Sequence, residues 1–450
     1  MISMYLEDAA DLIQATPFGG NPKFTGCSTD SRIIREGEMF IALEGEFFDG
    51  HDFIEMASGK GACAAMVEHQ AYEGLPGILV ENTRHSMGSL AQKWRENFNI
   101  PLIAITGSNG KTTVKEMLTS ILQRDARVLY TKGNYNNDIG VPLTLFNLGD
   151  EHDYAVIEMG ANHPGEISWL TRIAQPSLAV ITQCAPAHLE GFENIEGVAK
   201  AKAEIYEGLH ENGIALINRD DDYADFWIAK TRNHRQLTFG ISSSADIKAV
   251  SISPDIESGY IRFRLLLPDH AIDISLPLLG EHNVMNALAA SACAYGLNIS
   301  ADSIKLGLEE LQSIPGRLQL KKGIKGSRIL DDTYNANPAS LAAAVDVLSE
   351  YEGERWLVLG DMGELGNSSE QLHESSGHQA KSRRIDRLFT IGDLSINAHR
   401  DFGDQARHFE SLDCLMSSLI DEISPGVTIL VKGSRSMKME RVVNALMDNS

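Results

Sequence analysis

The chain predicts an α/β fold in three domains: a small α/β N-terminal domain, a central parallel-sheet domain, and a C-terminal, Rossmann-like doubly wound domain. Three observations carry this expectation. Short apolar, β-branched runs alternate with segments whose apolar residues recur at helical spacing. One such run, Ile103-Ala104-Ile105-Thr106, stops at the glycine-punctuated stretch Gly107-Ser108-Asn109-Gly110-Lys111-Thr112-Thr113. From position 315 onward, an apolar run ending in a polar or glycine residue recurs four times.

The first block, 1–98, contains the β-rich runs Met39-Phe40-Ile41-Ala42-Leu43, Ala64-Ala65-Met66-Val67-Glu68 and Gly77-Ile78-Leu79-Val80-Glu81, and ends in a helical segment near 85–97. Asn99-Ile100-Pro101 punctuates the boundary. In the second block, 99–314, the runs 153–158 and 177–182 are continuously apolar, as buried parallel strands are. Residues 245–280 alternate as antiparallel strands do, and a helix over 283–295 follows. Ile314-Pro315-Gly316-Arg317 marks the second boundary. The third block, 315–450, repeats strand ends at Asp331-Asp332, Gly360-Asp361, Gly392-Asp393 and Gly433-Ser434. In a doubly wound domain, ligands meet the carboxyl ends of the strands.

With 450 residues the chain can bury several cores, and 43% hydrophobic with 22% charged residues is ordinary for a soluble protein. A net charge of −23 argues against a nucleic-acid partner. Cys27, Cys63, Cys184, Cys293 and Cys414 are scattered without paired spacing, so they read as free thiols in a reducing compartment. The first residues carry Glu7, Asp8 and Asp11 rather than a basic and then apolar leader, and no apolar run reaches the length of a membrane span. A cytoplasmic monomer without membrane insertion is expected.

The stretch 107–113 carries the most chemistry. Its glycines let backbone N–H groups close around phosphate oxygens, the helix N-terminus favours negative charge, and Lys111 supplies a cation. The Thr112 hydroxyl is placed to meet a phosphate-bridging Mg²⁺. Ile105 stands where the longer GxxxxGK[ST] pattern wants glycine, leaving the shorter GxxGK[ST]. A plain glycine-rich turn is the alternative, but the strand–loop–helix context favours a nucleoside triphosphate.

Glu158 ends a strand and is suited to holding Mg²⁺, or else to capping the next helix. His188 follows the next strand, on the same rim if the two strands are parallel; a lone histidine is more often structural. Lys202 lies near the centre of the stripe formed by Ile195, Val198, Ile205 and Leu209, while Glu196, Lys200, Glu204 and Glu207 form a solvated face. An interior lysine needs a partner or a lowered pKa, and can then act as a nucleophile; snorkelling at the core's rim is the alternative. Asn283 and Asn286 open a helix with amides suited either to an adenine edge or to capping.

These residues resemble the Mur ligase family, the ATP-dependent amide-forming enzymes of peptidoglycan precursor synthesis. The resemblance rests on the run 106–113, Glu158, His188, Lys202, Gly280 to Asn286 and Arg317, in that order. It is closest to the members that add D-alanyl-D-alanine. The runs Thr29-Asp30-Ser31-Arg32, Phe48-Asp49-Gly50-His51, 133–142, 331–338, 359–365 and Lys432-Gly433-Ser434-Arg435 carry that finer likeness. The shorter loop is the family's own form.

The resemblance implies ATP, two Mg²⁺ ions and, as peptide substrates, UDP-N-acetylmuramoyl-tripeptide and D-alanyl-D-alanine. Lys111, with Gly107 to Thr113, would hold the phosphates; Thr112 and Glu158 would bind one Mg²⁺; His188 and a CO₂-carbamylated Lys202 would serve the second. Asn283 and Asn286 would face adenine, Arg317 the phosphates and Asp332 the ribose. Ser31 and Arg32 would lie near the uridine, Asn137 near the diphosphate and muramyl end, and Lys432, Ser434 and Arg435 near the dipeptide. The expected route is an acyl phosphate, made at the tripeptide carboxylate and captured by the dipeptide amine. A folylpolyglutamate-synthase-like ligase would lack the first block. A P-loop switch that forms no bond would have little use for Lys202 on an apolar stripe.

Overall fold

A computed structural model describes residues 1–69, 74–186 and 189–448. Three α/β layers follow one another along the chain, each on its own principal sheet. The first sheet has five strands in the order Thr16–Phe18, Gly77–Leu79, Ala64–Val67, Met39–Ile41 and Cys27–Ser28, all parallel except the first pair. A small antiparallel pair, Ser3–Tyr5 with Lys23–Thr25, flanks it.

The central sheet has nine strands, in the order Ala271–Leu276, Tyr260–Leu266, Ile247–Asp255, Arg235–Gly240, Ile214–Asn218, Leu178–Ile181, Leu102–Thr106, Tyr154–Glu158 and Val128–Tyr130. The run from Val128–Tyr130 to Ile247–Asp255 is parallel, and the last two strands turn antiparallel. Strand alternation sends Leu102 and Ala104 to one face and Ile103 and Ile105 to the other, where separate apolar clusters bury both sets. The cluster on the first face runs without a break into the N-terminal block, joining Ile2, Leu6 and Met87 to Ile157, Ile167 and Ile173. The helix Thr83–Arg95 makes that junction, with Gly88 against Trp169 because a Cβ there would lie 2.7 Å from the indole.

The third sheet is ordered Gln319–Lys322, Arg328–Asp332, Thr428–Lys432, Arg355–Gly360, Arg387–Ile391 and Ala406–Phe409, parallel but for the first strand. Its inner four strands are the four repeated apolar runs. The two edge strands lack that pattern, being short and half-polar, and sequence reading does not find them.

The helix bearing Lys202 differs from expectation at its end. It is α-helical over Ile195–Ala203 and tightens to a 3₁₀ turn over Glu204–Gly208, leaving Leu209 outside. Gly208 packs on the Thr171 backbone. Glu204, expected on a solvated face, instead accepts from the Gly165 and Ser168 amides at the start of the helix Glu166–Ala174, at 2.8 and 3.0 Å.

Candidate active site

The strand Leu102–Thr106 leads directly into the loop 107–110, and the helix Lys111–Leu122 leaves it. Two glycines are required there. Gly107 has φ +146° and Gly110 φ +82°, and a Cβ would lie 1.9 Å from Thr182 Oγ1 at the first and 2.3 Å from Asn286 Oδ1 at the second. The loop is pinned from the neighbouring strand's end: the Ser108 amide donates to Gln183 O (2.9 Å) and Ser108 Oγ to Ala185 O (2.8 Å). The helix begins with no side-chain cap, so its first amides stay available to an anion.

Lys111 folds back on the loop, Nζ donating to Gly107 O at 2.7 Å. Burial lowers its pKa, opposed by the charges of Glu158 and Glu364 and assisted by that of Arg317. Glu158 is buried at the end of its strand. Asn136 donates to its Oε1 at 2.8 Å, and its Oε2 has no hydrogen-bond partner among the described residues. A buried carboxylate oxygen left bare beside a phosphate loop is what a divalent cation would satisfy. Asn109 Nδ2 and Arg317 Nε are likewise buried and unpaired.

Lys202 is 1% exposed. Its ammonium lies over the Phe192 ring, 5.6 Å from the centroid. Burial, then the like charge of Lys111, brings its pKa down to about 7, with Cys184, Glu166 and Glu204 opposing. His188 lies outside the described residues.

Arg317 crosses from the third block to the loop, stacked 4.0 Å from the Tyr334 ring centroid with Nη2 donating to Thr112 Oγ1 at 3.3 Å. Asn337, the capping-box residue of the helix Pro338–Ser349, donates to Asn109 Oδ1 at 2.7 Å. Sequence reasoning singled out neither Tyr334 nor Asn337, nor Asn136, for these contacts. The signal lay in the runs 133–142 and 331–338, but which asparagine reaches which partner depends on the assembled sheets.

Other expected site residues are engaged locally. Asn283 Nδ2 donates to Leu279 O (2.8 Å) and its Oδ1 accepts from Asn286 Nδ2 (3.2 Å), which fixes the start of the helix Glu281–Gly296, while Asn286 Oδ1 lies against Gly110 of the loop. Beside them a cavity of about 360 Å³ is lined by Gln183, Asn218, Asp220, His282 and Met285, among others. Asp332 and Lys432 end adjacent parallel strands in register and form a buried ion pair; Lys432 also donates to Asn335 O at 2.9 Å. Ser434 is buried against Ser436, and Arg435 pairs with Glu440 at 3.2 Å.

In the first block Ser31 is buried, its Oγ 3.4 Å from Met56 Sδ, and Arg32 is exposed in a two-pronged pair with Asp30 at 2.9 and 2.8 Å. Asn137 Oδ1 accepts from the Gly140 amide at 2.9 Å, starting the helix Gly140–Leu145. Asp49, His51 and His69 gather as the one cluster of possible metal ligands found among the described residues. Both His51 ring nitrogens are already used, on Asp49 and on the Glu68 amide, so it has no lone pair to give.

Fold and site together define a three-domain α/β protein in which Arg317 and Asn337 of the third domain reach the glycine loop and its helix on the second. The chain belongs to the Mur ligase family: the Mur ligase catalytic domain matches residues 23–95, the Mur ligase middle domain 105–294, and the Mur ligase glutamate ligase domain 316–435. It is 42% identical to the UDP-N-acetylmuramoyl-tripeptide–D-alanyl-D-alanine ligase of Escherichia coli, covering 100% of this chain and 99% of that one. Among solved structures it resembles MurF from Acinetobacter baumannii (TM-score 0.94, 36% identity, 99% of each chain). It also resembles MurF ligase from Thermotoga maritima in complex with ADP (TM-score 0.84, 28% identity, 97% of each chain). No described helix is long and apolar enough to cross a membrane.

Proposed function

We propose that the chain forms the amide bond between UDP-N-acetylmuramoyl-tripeptide and D-alanyl-D-alanine at the expense of ATP, as a cytoplasmic monomer in peptidoglycan precursor synthesis. Full-length likeness to ligases of that name supports the substrates. The observation that carries the chemistry is Arg317 of the third block reaching Thr112 just past the glycine loop, together with the buried Glu158 oxygen that is unpartnered among the described residues.

In this reading residues 1–98 serve the nucleotide-sugar end, through Ser31 and Arg32, and Asn137 the diphosphate. Residues 99–314 hold ATP, and 315–450 bring Arg317 to the phosphates and Ser434 and Arg435 to the dipeptide. Asp332 and Lys432 act as one pair that shapes the rim near the ribose. Asn283 and Asn286 support the loop from the adenine side.

The tripeptide's terminal carboxylate attacks the γ-phosphorus, the bond to ADP breaks, and an acyl phosphate forms. The dipeptide amine then attacks the carbonyl, phosphate departs and the amine loses its proton. Lys111 neutralises charge gathering on the transferred phosphoryl group, and closure of the third domain over the loop excludes water from the acyl phosphate. Thr112 and the bare Glu158 oxygen would hold one Mg²⁺, His188 and Lys202 the second; these ions supply charge neutralisation on the phosphates. Lys202 fits carbamylation: a buried, neutral amine forms an N–C bond to CO₂ and sheds a proton, becoming an oxygen donor.

The test is ligation with ATP, UDP-N-acetylmuramoyl-tripeptide and D-alanyl-D-alanine, read by mass. A product heavier by the dipeptide less water, with one phosphate released per bond, is expected. Phosphate release without that product would overturn the assignment.

A further inference from the structure

A second buried lysine sits one turn beyond Lys111 on the same helix, outside the machinery described so far. Lys115 is 0% exposed. Its Nζ donates to Thr131 O at 2.8 Å and pairs with Glu116 Oε1 at 2.8 Å. Thr131, also fully buried, uses its hydroxyl oxygen to accept from the Glu158 amide at 3.0 Å, while its own amide donates to Val156 O at 3.1 Å. A chain of contacts thus runs from the helix that bears Thr112, through Thr131, to the strand end that bears Glu158. Asn136 holds the far side of the carboxylate by Oε1 and leaves Oε2 bare.

Stability does not account for the ammonium. Burying a charge is costly, and an apolar side chain of similar volume in its place is often neutral or stabilising. An ammonium adds a directed bond that fixes one backbone carbonyl, and Thr112 is three residues before Lys115, on the same helical face. We propose that Lys115 is a positioning residue which, through Thr131, sets the separation between the Thr112 hydroxyl and the Glu158 carboxylate, and hence the geometry offered to a divalent cation. This rests on the reading above that Thr112 and Glu158 hold the cation accompanying ATP.

The test uses the full chain in excess over ADP, titrated with Mn²⁺, with free metal read by electron paramagnetic resonance and ADP affinity in chelator measured separately. Lys115→Met and Thr131→Val each weaken Mn²⁺ binding about tenfold or more, the usual effect of losing a partner behind a metal ligand, while metal-free ADP affinity stays within about twofold. Thr131→Val is nearly isosteric and tests the link from the Thr131 hydroxyl to the Glu158 amide; Lys115→Gln, which keeps a polar end without the charge, tests the link from Lys115 to the Thr131 carbonyl if Lys115→Met does not fold. Folded Lys115→Met and Thr131→Val enzymes with wild-type Mn²⁺ affinity, beside a Glu158→Gln enzyme that has lost it, would overturn the positioning role alone. A Glu158→Gln enzyme with wild-type Mn²⁺ affinity would overturn the metal reading, and the positioning role with it.

Discussion

Lys202 in the central domain and Lys432 in the third are both almost wholly buried, and burial lowers the pKa of both, yet their surroundings are opposite. Lys432 ends a strand beside Asp332, in register with it, and a carbonyl takes a further proton of its ammonium. The counter-charge opposes the shift that burial imposes. Lys202 faces an aromatic ring, and after burial its strongest influence is another cation, Lys111. A lysine with a carboxylate in register is a strut. One without a paired carboxylate among the described residues, titrating near neutrality, has the character of an amine open to reaction.

The largest effect should come from Lys202. Lys202→Ala is expected to lower ligation on the order of a hundredfold or more, exceeding the loss of a mere outer partner of a metal ligand. Added formate or acetate should restore part of it, because the void left by the side chain admits a carboxylate. Lys202→Met sharpens the contrast. It removes a charge whose burial penalty is full below the folded pKa of about 7 and is relieved as pH rises toward the unfolded value near 10.5. The Met variant should therefore gain stability over wild type most clearly at low pH, and be inactive. An active Lys202→Met enzyme would erase the distinction between the two lysines.

Lys432→Met should behave the other way round. It strands Asp332 without its counter-charge, and breaking one side of a buried pair costs about 3 kcal/mol of stability. Replacing both members, with Lys432→Met and Asp332→Leu together, should recover much of that loss, as thermal or denaturant melts would show. If Lys432→Met keeps its stability and loses activity instead, the pair is part of the dipeptide site and not a strut.

A gentler probe leaves the chain unaltered. Since only the neutral amine adds CO₂, stripping CO₂ from wild-type enzyme should slow ligation several-fold near pH 6 and less near pH 8, reversibly on adding bicarbonate. Equal slowing at both pH values would count against an amine titrating near 7.

How much of this was legible in the sequence follows from the range over which each feature is written. The glycine loop is local, and strand, glycines and Lys111 lie within one short run. The burial of Lys202 follows from helical periodicity, which needs only its neighbours, even though the helix ends sooner than the pattern suggests. The Lys432–Asp332 pair joins residues a hundred positions apart, and only strand register brings them together. Nor does periodicity reveal Lys115. It sits off the stripe of Val114, Met117, Leu118 and Ile121, and its partner Thr131 lies just after the strand Val128–Tyr130, which only the folded sheet brings to this helix. The grip of Asn136 on Glu158 spans a crossover and was hidden for the same reason.

The smallest effect belongs to a cation of the opposite kind. Arg32 has a side chain 80% exposed, and its pair with Asp30 is local and solvated, although the guanidinium holds the Asp30 carboxyl down to about 2. Exposed pairs contribute little to stability, so Arg32→Ala should leave the melting temperature almost unchanged. If Arg32 serves the uridine end, its loss removes binding made equally in ground and transition states. KM for the nucleotide-sugar peptide should then rise roughly three- to tenfold with kcat held, and KM for D-alanyl-D-alanine should not move. The first domain lies far along the chain from Ser434 and Arg435, the residues proposed for the dipeptide, which is why the two KM values separate its role from theirs. Equal rises in both would make Arg32 a structural residue acting through the fold. No rise in either would move the uridine contact away from the Asp30–Arg32 turn and leave buried Ser31 as the residue to test next.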